Sequence, residues 1–257
     1  MWIHNLDPTL LTFGPFEIRY YGLVYVIGFL FVLFFLEYMR KKNKVPLNKE
    51  QIYDLIFYLI LGVLIGSRLF HVIFWEPSYY LAQPWKILYF WQGGMSFHGG
   101  LLGVILVGLW FSKKNNIKFL QLADIISIPA VIILAFGRIA NFINGELPGT
   151  PTESSWCVIF PGYEECRHPI QLYSALKRFL VAGVLVLINL NKHKPGFIFL
   201  NLIFFMGLGR FFIDFLREDA RWLGLSAGQY FSLAMVLITT YIFLKYYKKE
   251  CKKLFHL

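Results

Sequence analysis

The sequence predicts an all-α polytopic membrane protein with seven transmembrane helices, its N-terminus outside and its C-terminus cytoplasmic. Apolar residues make up 57 % of the chain and aromatic residues 19 %, a profile that fits neither disorder nor an ordinary soluble domain. Mostly apolar runs approaching the roughly 20 residues needed to cross a bilayer recur along its length. Lysine and arginine gather in every second loop, which sets the orientation.

The spans are expected at about Ile18 to Tyr38, Ile52 to Trp75, Phe97 to Phe111, Leu120 to Phe142, Ile170 to Leu190, Gly196 to Leu216 and Gln229 to Tyr247. Arg40, Lys41, Lys42, Lys44 and Lys49 follow the first, Lys113, Lys114 and Lys118 the third, Lys192 and Lys194 the fifth, and Lys245, Lys248, Lys249, Lys252 and Lys253 the last. The other loops carry Glu76, Glu146, Glu153, Glu164, Glu165, Glu218 and Asp219 with few cations, so the basic loops are assigned to the cytoplasm. This accounts for the net charge of +10 through topology and contact with anionic membrane lipids, and no nucleic-acid partner is expected. Residues 1–257 read as a single integral-membrane domain with outer loops around 76–96 and 143–169. The N-terminus lacks a basic region before a short apolar core, so no cleaved signal peptide is expected.

The N-terminal segment, with Trp2, Pro8, Pro15 and Phe16, is read as interfacial, and Tyr20, Tyr21 and Tyr25 open the first span where aromatic rings suit the headgroup layer. In the second span, Gly62 and Gly66 have the spacing that lets another helix approach closely, and Arg68 and His71 share a face in its outer half. The run GGMSFHGGLLG, Gly93 to Gly103, places His98 at the mouth of the third span beside Gly99 and Gly100. A structural histidine and a base are both open there, while no second ligand lies at metal spacing, so neither metal nor cofactor is expected. Cys157 and Cys166 lie in an outer loop whose compartment permits a disulfide; spacing alone leaves the bond open.

The chain is organised around GRIANFINGELPG, Gly137 to Gly149. Arg138 and Asn141 are three residues apart at the end of an apolar helix, followed by Asn144, Gly145 and Glu146. An arginine in this setting either snorkels, sits in a structural ion pair, or meets an anionic ligand. Lys177 and Arg178 lie deeper in the fifth span on different faces, one free to reach a cavity and the other to snorkel. In GLGRFFIDFLRED, Arg210, Asp214 and Arg217 fall on one helical face. Arg68, Arg138 and Arg210 thus put cations in the outer half of three spans with too few intramembrane carboxylates, which predicts an anionic ligand; the planar guanidinium suits phosphate.

At these residues the sequence resembles the prolipoprotein diacylglyceryl transferases of bacterial inner membranes. The resemblance rests on YYGLVY at Tyr20 to Tyr25, GGMSFHGGLLG at Gly93 to Gly103, GRIANFINGE at Gly137 to Glu146, RHPIQLY at Arg167 to Tyr173, GRFFIDFLRED at Gly209 to Asp219 and LSAGQ at Leu225 to Gln229. It implies transfer of the diacylglyceryl group of phosphatidylglycerol to the lipobox cysteine of preprolipoproteins. The reaction so implied forms a thioether and releases glycerol phosphate at the outer, periplasmic side of the plasma membrane. Carried over position by position, the family's functional residues fall on Tyr21, His98, Arg138, Asn141, Glu146 and Arg210. The expected catalytic set is His98, Arg138, Arg210 and Glu146, and the substrate-binding set is Tyr21, Asn141, Arg68, Asn144 and Asp214.

The substrate thiol must lose its proton to attack carbon, and both His98 and Glu146 are candidates to take it. Arg138 and Arg210 would stabilise the phosphate as it leaves. The chain departs from the family at Asp214, where glutamate is common, at Met206, where tyrosine is common, and at Ser174, where glutamate is common. A lipid or anion transporter would use the same arginines, but the repeats and interrupted helices of such proteins are not evident. A structural anchor leaves the arginines unexplained.

Overall fold

The computed structural model describes residues 2–14, 16–90 and 93–254; Pro15, counted above with the N-terminal segment, lies outside them. In chain order the elements are β1 (Trp2–Ile3), β2 (Thr9–Phe13), β3 (Phe16–Arg19), α1 (Tyr20–Lys41), α2 (Lys49–Phe74), α3 (Pro77–Ala82), α4 (Phe97–Lys114) and α5 (Phe119–Ile143). There follow β4 (Val158–Ile159), β5 (Cys166–Arg167), α6 (Ile170–Ile188), α7 (Phe197–Ile213), β6 (Arg221–Trp222), β7 (Leu225–Ser226), α8 (Ala227–Tyr246) and α9 (Lys248–Leu254).

Among the described residues, six helices are long and apolar enough to cross a membrane: α1, α2, α5, α6, α7 with the turn that extends it to Leu216, and α8. The protein is therefore mostly helical and polytopic in type. The helix α4, expected as a further span, has 18 residues that include His98, four glycines, Lys113 and Lys114, a composition that lowers its hydropathy. The helix ends follow local chemistry. Asn48 and Ser226 form capping boxes with Gln51 and Gln229, and Asn43 and Asn116 take the left-handed conformation just beyond α1 and α4.

The short strands depart from a purely helical expectation. Ile18 and Arg19, placed at the start of the first span, instead pair with Leu11 and Thr9 in a β2–β3 hairpin. The N-terminal β1 runs parallel to β4, which pairs antiparallel with β5.

Two compact units divide the chain. The first comprises Met1–Gly28 and Ile126–Leu257. Its core joins Val131 of α5, Val181 and Leu185 of α6, and Phe197 and Ile198 of α7, with Tyr247 packed among them. Phe231, Leu237, Ile238 and Leu244 of α8 are exposed, as suits a helix face that meets lipid.

The second unit is Phe29–Ile125. In it α2 and α4 meet backbone to backbone. A Cβ on Gly66 or Gly103 would run into the carbonyl of Gly99 or Gly62, so the expected glycine spacing on α2 is answered by a matching pair on α4.

Candidate active site

The end of α5 is built to present side chains. Beyond Ile143 the chain turns through Gly145, whose positive φ lets its N–H return to the Phe142 carbonyl while the Glu146 N–H reaches the carbonyl of Asn141. The Phe142 carbonyl is also met by Nε2 of the buried His4 at 2.7 Å, so the N-terminal strand caps this helix. The turn folds Glu146 back over the last helical residues. Its carboxylate accepts from Nδ2 of Asn141 at 2.8 Å and from Nδ2 of Asn144 at 2.9 Å, while Oδ1 of Asn141 accepts from Arg138 at 3.4 Å. Arg138 thus has an amide partner and, among the described residues, no carboxylate within ion-pair distance.

The following loop is tied down in the same unit. Cys157 and Cys166 are disulfide-bonded, which answers the question the spacing left open. The buried Arg167 donates to the Gly149 carbonyl and to Glu218, and the Thr150 N–H donates to the Leu216 carbonyl. The side-chain amide of Gln171 holds the Glu146 carbonyl. These contacts fix the turn after α5 against the start of α6 and the end of α7.

Arg210, in the last turn of α7, donates from Nε to Asp214 at 3.2 Å, and Asp214 is buried. Gly228 of α8 makes room for this pair, since a Cβ there would strike the Asp214 carboxylate and crowd Arg210. Arg217 does not stay on their face as the spacing predicts. The helix tightens to a 3-10 turn over Asp214–Leu216, Arg217 becomes extended, and it pairs with Asp219 at 2.8 Å. The hydrogen bond from Arg217 holds the Asp219 carboxyl below its ordinary range.

Arg138 interacts electrostatically with Arg217, Arg210, Tyr21 and Tyr25, and the Tyr21 and Tyr25 hydroxyls lie 3.0 Å apart. Lys177 and Arg178 join the same field. Of Arg138, Lys177, Arg178, Arg210 and Arg217, only Lys177, Arg210 and Arg217 interact with Asp214 or Asp219, while Arg138 and Arg178 meet the other cations, an excess of positive charge suited to an anion.

In the second unit Arg68 is engaged by its own chain. Its guanidinium is buried and all its N–H donors are taken up by the carbonyls of Lys86, Ile87, Tyr89, Gly93 and Gly94. Tyr80 and Phe90 cover it at 5.1 and 5.8 Å. No donor remains for a phosphate, and Arg68 is a staple for the segment after α3. His71, on the same face, lies 3.8 Å from Glu76. His98 is exposed at the start of α4 with ring contacts to Phe70 and Phe97, and no hydrogen bond to it occurs among the described residues. No group of three or more His, Cys, Asp or Glu side chains among the described residues is placed to hold a metal.

The prolipoprotein diacylglyceryl transferase family model matches residues 8–245. The chain belongs to the prolipoprotein diacylglyceryl transferase family. The chain is 41 % identical over 239 residues, 92 % of each chain, to a phosphatidylglycerol–prolipoprotein diacylglyceryl transferase of Geobacter sulfurreducens. It is 42 % identical over 243 residues to the enzyme of that name from Bordetella avium, covering 91 % of this chain and 92 % of the relative. With the one from Polynucleobacter asymbioticus it shares 39 % over 258 residues, 94 % of this chain and 97 % of the relative.

In this diacylglyceryl transferase family member, the first unit brings together Tyr21, Arg138, Asn141, Asn144, Glu146, Arg210 and Asp214. His98 and Arg68 belong to the second unit. Sequence reasoning did not assign a role to Tyr25 or Gln171. The four-residue step from Tyr21 to Tyr25 is a helical neighbour signal that pointed to the first; nothing local pointed to the second. Lys177 and Arg178, one of which the sequence leaves free to reach a cavity and the other to snorkel, both interact electrostatically with Arg138 and Arg210.

Proposed function

We propose that this protein transfers the diacylglyceryl group of phosphatidylglycerol to the lipobox cysteine of preprolipoproteins, the first step of bacterial lipoprotein maturation. The observation that carries this reading is identity of about two residues in five, across nine tenths of the chain, to enzymes named for that reaction. The surplus of cations around Arg138 supports it, because the lipid is anionic and its leaving group gains charge.

The cysteine thiolate attacks the glyceryl carbon that bears the phosphate. A C–S bond forms, the C–O bond breaks, and its electron pair leaves on the phosphate of glycerol phosphate. Arg138 and Arg210 hold that phosphate; Asp214 sets the angle of Arg210. Asn141 and Asn144 orient Glu146, which with Tyr21 receives the glycerol hydroxyls. His98 takes the thiol proton; its ring is exposed and accepts or donates no hydrogen bond among the described residues, which supports this role.

The reading places α4 across the membrane as a seventh span, with the N-terminus outside, the lysine-rich loops in the cytoplasm and the chemistry at the periplasmic side of the bacterial inner membrane. Residues 1–257 act as one transferase domain, with the loops around 76–96 and 143–169 on the outer side. The test is incubation of purified protein with phosphatidylglycerol and a lipobox peptide, read by mass spectrometry. A diacylglyceryl-modified cysteine is expected; an unmodified peptide under conditions where a relative is active contradicts the reading.

A further inference from the structure

Arg178 is 8 % exposed in the middle of α6, yet among the described residues no carboxylate lies within ion-pair distance. Its Nη1 donates to the Ser174 carbonyl at 2.8 Å, and its Nε is buried without a partner. The residue one turn before it, Ser174, brings no charge. A guanidinium buried with a bare donor is unfavourable until an anion meets it.

The bond to Ser174 also gives direction. Helical side chains lean toward the helix N-terminus, and this bond holds Arg178 that way, within electrostatic reach of Arg138 and Arg210. Lys177 arrives from the neighbouring position. Its stem lies on Gly209, where a Cβ would collide with Cγ and Cδ of the lysine, so a glycine just before Arg210 is what lets the lysine run along α7. Among the described residues its ammonium has only a long 3.4 Å contact with the Met206 carbonyl.

We propose that Arg178 and Lys177 form the inner wall of the anion site and bind phosphoryl oxygens of a glycerophosphate group together with Arg138 and Arg210. This rests on the functional reading above. The group has two sources, the headgroup of the lipid substrate and the released glycerol phosphate.

The test uses the full-length enzyme in detergent with Arg178→Met and Lys177→Met. Three quantities are read: KM for phosphatidylglycerol at saturating lipobox peptide, the inhibition constant of glycerol phosphate, and the thermal midpoint. Loss of one charge-assisted contact raises the KM for lipid roughly tenfold to a hundredfold, with peptide KM unchanged. The midpoint does not fall for Arg178→Met, because an apolar side chain replaces a buried unpaired charge. A parallel rise in the inhibition constant assigns the contact to lipid and product alike; a rise in KM alone assigns it to the lipid, and a rise in the inhibition constant alone to the product. If both constants stay at wild-type values in either variant, the wall is absent and the proposal falls. Should Arg178→Met not fold, Lys177→Met, only part-buried, decides. Retention of phosphatidylglycerol and of glycerol phosphate by native mass spectrometry, without peptide, tests the site apart from turnover: equal retention of both by wild type and variants overturns the proposal. An inactive wild type would instead overturn the functional reading.

Discussion

Asn141 stands between opposite charges: its Oδ1 accepts from Arg138 at 3.4 Å and its Nδ2 donates to Glu146 at 2.8 Å. With Asn144 on its other oxygen, Glu146 accepts one amide donor on each oxygen, which a carboxylate can do and a carboxamide cannot. Glu146→Gln must set an NH2 against one of those donors. Turnover is expected to fall roughly tenfold to a hundredfold, the scale of a lost hydrogen bond to a charged group. Steady-state kinetics on folded Glu146→Gln checks this, and a wild-type rate would detach the carboxylate from the site.

Arg68 makes a different prediction. Lysine keeps its charge but cannot reach five carbonyls in a fork, so Arg68→Lys should loosen the segment from Lys86 to Gly94. Faster hydrogen exchange confined to that segment is expected, with a fall in thermal midpoint. Unchanged exchange there would return Arg68 to the candidates for phosphate.

The disulfide between Cys157 and Cys166 closes a short loop on β4 and β5. Changing both cysteines to serine should preserve the rate of the folded enzyme and cost about 2 to 3 kcal/mol of stability, as loops of this order do. Equal unfolding midpoints for wild type and the double variant under oxidising conditions would contradict the stability effect. Loss of turnover without loss of folding would contradict the rest.

These cases mark what the sequence could disclose. Membrane helices are local: an apolar run and its flanking lysines carry the information, so the helix limits came out within a few residues. Arg138, Asn141 and Glu146 were legible because helical spacing and one turn bring them together. The partner of a buried cation is not local. Arg68 looked like Arg138 in sequence, and only the carbonyls of a loop 18 to 26 residues away distinguish them. Arg217 left its expected face because α7 tightens at Asp214, and β1 pairs with Val158 across most of the chain. Neither event leaves a period to read.

The proton acceptor separates by pH. A lipobox thiol is mostly protonated at neutral pH and ionises unaided near pH 8.5. If His98 takes that proton, the defect of His98→Gln shrinks as pH rises through that range. A defect independent of pH from 6 to about 9 would move the role to another group.

The most direct test of the account is the rate of Arg138→Lys on phosphatidylglycerol. Lysine retains the charge and loses the planar fork, so the variant should fold and insert. Loss of one preorganised contact to the leaving phosphate costs on the order of 2.7 to 4 kcal/mol, a rate loss of roughly a hundredfold to a thousandfold. A folded Arg138→Lys enzyme turning over phosphatidylglycerol at the wild-type rate would remove the end of α5 from the active site.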